Sequence, residues 1–102
     1  MFHIAANPTF DASLIITGQG REQTLNCTFK HKAKSEYLAM LESIRDGSLT
    51  VPDAILSIVE KWDADEKLSA ASIAKLQDQQ PGIDWAIVTD YGDALAIARK
   101  GN

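Results

Sequence analysis

"FDASLIITGQGREQTLNCTFK", Phe10 to Lys30, decides how this chain folds. From Phe10 to Thr17, apolar and polar residues nearly alternate, with Phe10, Ala12, Leu14 and Ile16 on one side and Asp11, Ser13 and Thr17 on the other. A period of two is the signature of a strand with one buried face. Leu25, Cys27 and Phe29 repeat the pattern against Thr24, Asn26 and Thr28. Between the two runs, "GQGR" supplies glycines able to take positive φ, so the spacing predicts a β-hairpin turning at Gly18 to Arg21. A lone hairpin is marginal in water, so its apolar face must pack on the remainder of the chain. Ile15 falls on the polar face, either as an ordinary exposed side chain or as a contact for another chain.

Beyond the hairpin the periodicity changes to that of helices. Ser35 and Glu36 open a segment in which Tyr37, Leu38, Leu41 and Ile44 recur at three and four residues, and Asp46-Gly47 ends it. Pro52 marks the first turn of a second helix, whose Ile55, Ile58, Val59 and Trp62 form one stripe. Ser69 caps a third helix, with Leu68 and Ile73 spaced as a hydrophobic staple, and "QQPG" closes it. The last helix is read over Ile83 to Lys100, with Ile83, Ala86, Ile87, Tyr91, Ala94 and Ala98 on one stripe widened by Trp85, Val88 and Leu95. Gly92 in its middle points to a close helix contact or a local break. The expected architecture is therefore α+β, mainly α, a single domain over residues 1–102: a β-hairpin at 7–33 packed on a bundle of about four helices at 34–100.

A chain of 102 residues with 45% hydrophobic composition buries one core without staples. It contains no run long and apolar enough to cross a bilayer and "MFHIAANPTF" lacks the regions of a secretory signal, which predicts a cytoplasmic protein away from membranes. The single cysteine, Cys27, reads as a small core residue. The net charge of −4 is uneven: residues 1 to 34 set Arg21, Lys30, Lys32 and Lys34 against Asp11 and Glu22, leaving the helical part at −6. Such an acidic half argues against nucleic acid as a partner, and "FKHKAK" alone is a short basic cluster at a strand end.

The acidic joint "WDADEKLS", Trp62 to Ser69, is the one stretch that invites a metal reading. As a calcium loop it would put Asp63 and Asp65 at positions 1 and 3, but Lys67 stands at position 5, Leu68 where Gly is needed at 6 and Ala74 where Glu is needed at 12. Three failures make it a joint between helices, with Asp63 free to bond exposed amides or a neighbouring helix. His3 and His31 have no nucleophile pattern beside them, and "GQG" lacks the strand-to-helix context of a phosphate loop. The expectation is no catalytic residue, no cofactor, no metal and no enzyme activity.

The order of motifs resembles a known family. "NPTF" at Asn7 to Phe10 leads into a hairpin, "TFKHK" at Thr28 to Lys32 enters the first helix, "WDAD" at Trp62 to Asp65 makes a joint, and "PG" at Pro81-Gly82 makes a turn. Over roughly residues 7 to 98 this is similar to the tail assembly chaperones of long-tailed, siphophage-type bacteriophages and prophages. The resemblance implies a non-catalytic factor that binds and solubilises the tape measure protein and helps recruit tail tube subunits, the latter through a longer frameshift form. It also implies homo-oligomers in rings or spirals, a place in the host bacterial cytoplasm, and absence from the mature virion. The alternative is a small structural tail or neck component of the particle. Candidate interface positions are Ile15, Trp62, Trp85 and Val88, with Trp62, which completes the stripe of the second helix, and Trp85 read as core ahead of interface.

Overall fold

In a computed structural model, described over residues 1–97, the chain runs β1 (Thr9–Gly18), β2 (Arg21–Lys30), α1 (Lys34–Arg45), α2 (Val51–Ile58), β3 (Val59–Trp62), α3 (Ala70–Gln79) and α4 (Ile83–Leu95). The hairpin forms as the alternation predicts. Gly18 pairs with Arg21, and the two residues between them, Gln19 at φ 54° and Gly20 at φ 72°, are both left-handed. That geometry matches the right-handed twist of the flanking strands and fixes the register. Leu14, Cys27 and Phe29 are buried on the inner face, while Asp11, Ser13, Ile15 and Thr17 face outward.

The main departure concerns residues 59 to 62, read from sequence as the end of the second helix. α2 stops at Ile58, and Val59 to Trp62 join the hairpin as a third antiparallel strand in the order β1-β2-β3. Val59 pairs with Phe29, Lys61 with Thr28 and Trp62 with Cys27, so Glu60 is the extra residue of a bulge. In a regular strand two residues three apart point to opposite faces. The bulge turns Val59 and Trp62 to the same inner face, reproducing in a strand the spacing that reads as a helical stripe. The helical part is thus four helices interrupted by one short strand.

Each helix starts where its local chemistry allows. The Glu36 carboxylate accepts the Ala33 N–H at 2.8 Å, and the Thr50 hydroxyl accepts from Asp53 N–H at 3.2 Å. Ser69 Oγ accepts the Ser72 N–H at 3.1 Å while Ser72 Oγ accepts the Ser69 N–H at 2.9 Å, a reciprocal cap. Leu68 and Ile73 share the core, as the staple spacing predicts. α1 buries Met40 and packs Tyr37, Leu41 and Ile44 of the stripe read in the sequence against the core, while Leu38 is left 51% exposed. α4 ends at Leu95; Ala98 and Lys100, assigned to that helix from the sequence, lie outside the described residues.

One core joins the sheet to the helices. Phe29, Ala54, Ile55, Ile58, Ile73, Ile87, Val88 and Tyr91 have no exposed surface. At its centre the Tyr91 ring meets Phe29, Phe10 and Tyr37 at centroid distances of 5.0, 6.1 and 5.9 Å, and its hydroxyl donates to the Lys30 carbonyl at 2.7 Å. Gly92 is where α4 meets Tyr37: a Cβ there would overlap the phenol oxygen and lie 2.7 Å from Cζ. This is the close contact the sequence suggested. Gly92→Ala should therefore destabilise by about 1–2 kcal/mol in urea, overpacking outweighing the roughly 1 kcal/mol gain in helix propensity. In a Tyr37→Ala background the same change should become stabilising, because only the propensity gain remains.

Candidate interaction surface

The outer face of the sheet carries cross-strand polar pairs. Thr28 Oγ1 donates to Asp11 Oδ1 at 2.8 Å and Ser13 Oγ donates to Asn26 Oδ1 at 2.6 Å, each between residues directly opposite in the ladder. Asn26 continues the chain, its side-chain amide donating to Asp63 Oδ2 at 2.7 Å and its backbone N–H to Asp63 Oδ1 at 2.8 Å. These two hydrogen bonds hold the Asp63 carboxyl below the usual carboxylate range. The support they give is present while Asp63 is ionised and is lost as pH falls through its lowered pKa. The acidic joint thus fastens the end of β3 to β2, with Trp62 Nε1 donating to the Glu66 carbonyl at 2.8 Å and Lys75 paired to Glu66 at 2.7 Å.

Because β3 is only four residues long, it covers β2 from Cys27 to Phe29 and, among the described residues, no strand pairs with Arg21–Leu25 on that side. The space beyond is an open groove of about 590 Å³, bounded by the turn end of the hairpin, the loop after Trp62, and α3. Ile16, Leu25, Trp62, Leu76 and Ile83 give it apolar walls, and Arg21, Asp65 and Lys75 stand among its polar side chains. Sequence reasoning missed this groove, since it exists only because residues 59 to 62 leave the helix.

The four candidate interface positions are not brought together. Ile15 stays 63% exposed on the outer sheet face and Trp85 is 49% exposed on α4. Trp62 is half-buried at the groove, opposite Cys27. Val88 is fully buried in the core, so the expectation that it remains for another chain is corrected: it lies on the inward stripe with Ile87 and Tyr91. The largest exposed apolar side chains include two that were not singled out, Phe2 at 88% and Ile4 at 94%, on the segment before β1.

The Cys27 thiol is pushed up to about 11 by burial and by the nearby Asp63 charge, so it stays protonated. Alkylation at pH 8 should accordingly proceed only as fast as the chain opens, and should become rapid in denaturant. Among the described residues no group of three metal-ligating side chains occurs and no helix is long and apolar enough to cross a membrane.

A comparison with known families matches the chain along its whole length, residues 1–102, to a family described as phage tail assembly chaperone. No curated protein and no solved structure gives a match. The motifs that carried the resemblance in the sequence fall at the entry to β1, at the strand end that enters α1, in the joint between β3 and α3, and at the Gly82 turn into α4, and the full-length match agrees with them. The chain belongs to the phage tail assembly chaperones.

Proposed function

We propose that the protein is a non-catalytic chaperone that binds the tape measure protein, keeps it soluble during tail assembly, and helps bring tail tube subunits to it. The observation that carries this reading is membership of the chaperone family over residues 1–102. A physical rationale accompanies it. A tape measure protein is a long helix with apolar stripes that aggregate when uncovered, and repeated small subunits can cover such stripes by contact alone. The exposed indole of Trp85 is a suitable anchor for that contact, being large, rigid and half accessible. The acidic helical part, at −6, keeps a covered complex soluble.

The protein acts in several copies, in the host bacterial cytoplasm, and leaves before the particle is complete. Co-expression tests the binding: a tape measure fragment should move to the soluble fraction and co-purify with the chaperone. Mass spectrometry of purified particles tests the departure. Peptides of this chain in stoichiometric amount in finished tails would favour a structural tail or neck component instead.

A further inference from the structure

The groove beside β2 has the geometry of a missing strand. Asn26 directs its backbone toward β3, its carbonyl accepting the Asp63 N–H at 3.1 Å and its N–H donating to Asp63 Oδ1 at 2.8 Å. Alternate residues of a strand point their backbone groups to the same edge, so Thr24 and Glu22 present N–H and C=O groups to the groove. Leu25 and Ile16 form the adjoining inner wall, with Leu76 and Ile83 across from them. A segment filling this place must be extended, with apolar side chains two residues apart on the side facing α3.

The segment before β1 has that pattern. Phe2 and Ile4 are two apart, both almost fully exposed, and residues 1–8 have no helix or strand of their own. His3 is the arm's one titratable side chain, so it brings no carboxylate against Asp63, Asp65 and Glu66 at the groove. The arm cannot fill its own groove. It leaves from Thr9, which pairs with Lys30 at the far end of the hairpin from Arg21, and from β1, which lies on the opposite side of β2. The distance along β1 from Thr9 to Ile16 is roughly 23 Å, more than the roughly 21 Å that the stretch from Phe2 to Pro8 spans when fully extended, before any reversal or crossing of the sheet.

We propose that the free edge of β2 at Arg21–Leu25 is filled by the N-terminal arm of a second copy, added in line with β3 with Phe2 and Ile4 against the Leu25 and Leu76 side of the groove. This rests on the reading that the protein acts in several copies and gives that reading its contact. Arm and groove are different surfaces, so the contact is heterologous and propagates head to tail into a ring or an open helix, rather than closing as a two-fold dimer.

Sedimentation velocity over a range of concentrations tests it with four samples: the full chain, the chain lacking residues 1–6, Thr24→Pro, and an equimolar mixture of the two variants. Proline at Thr24 removes an N–H from the groove edge while sparing the bonds to β1. The full chain should associate, and each variant alone should associate at least about tenfold more weakly. The mixture should form a one-to-one pair, the intact arm of Thr24→Pro entering the intact groove of the truncated chain. Phe2→Asp, at an exposed position, reads the arm alone should Thr24→Pro fail to fold. Oligomers that survive loss of the arm overturn the proposal and leave self-association standing, whereas a full chain that stays monomeric overturns both. A tape measure fragment bound normally by the truncated chain but lost by Thr24→Pro would give the groove to that partner and overturn the proposal too.

Discussion

Val59→Asp should lower stability by on the order of 4 kcal/mol, enough to unfold a small domain of ordinary stability. Val59 is 2% exposed and opposes Phe29 at the bulge, so a carboxylate there would be desolvated among apolar side chains. The cost should shrink in acid, where the new group is protonated, and urea titrations at two pH values would show it. Lys61→Thr makes the companion test of secondary structure, because Lys61 lies on the exposed outer side of β3. A β-branched residue there should be neutral or slightly stabilising in a strand, and destabilising were the segment helical.

Tyr91→Ala should cost about 3–5 kcal/mol. The ring is completely buried and touches Phe10, Phe29 and Tyr37, so its loss opens a cavity where the sheet meets α1 and α4. Tyr91→Phe isolates the polar part of the effect. It keeps the packing and deletes the 2.7 Å hydrogen bond to the Lys30 carbonyl, for an expected loss near 1 kcal/mol. Burial chiefly, with the neighbouring Glu36 charge, pushes the Tyr91 phenol up to about 12. The phenol therefore keeps its proton in the folded chain after the unfolded chain has released its own, near pH 10. The folded state is favoured fully below that pH and loses this advantage as pH rises toward 12. Cys27 acts in the same direction from pH 9 to about 11, so chemical stability should fall steadily across the alkaline range and fall less in Tyr91→Phe.

The two strands of the hairpin were legible because near alternation, broken at Ile15, and a glycine-bearing turn leave little else for residues 10 to 30 to do. The first turn at Pro52, the cap at Ser69 and the turn at Gly82 were legible for the same kind of reason, each resting on a local rule, and Gly92 proved to be the close contact rather than the break. Residues 59 to 62 were not, since Ile55, Ile58, Val59 and Trp62 satisfy the helical spacing and, through the extra residue Glu60, also a bulged strand. Only the pairing with β2, a contact distant in sequence, chooses between them. The groove inherited that ambiguity. Val88 was misplaced because α4 is apolar on most of its circumference, and which sector faces inward depends on where the sheet lies.

The proposed function has the protein cover apolar helix with folded surface, and light scattering measures that directly. A purified tape measure fragment should aggregate alone, and graded additions of the chaperone should suppress the signal to a stoichiometric end point. Trp85→Asp should weaken that suppression. A fragment that aggregates at the same rate at every ratio of chaperone would contradict the account.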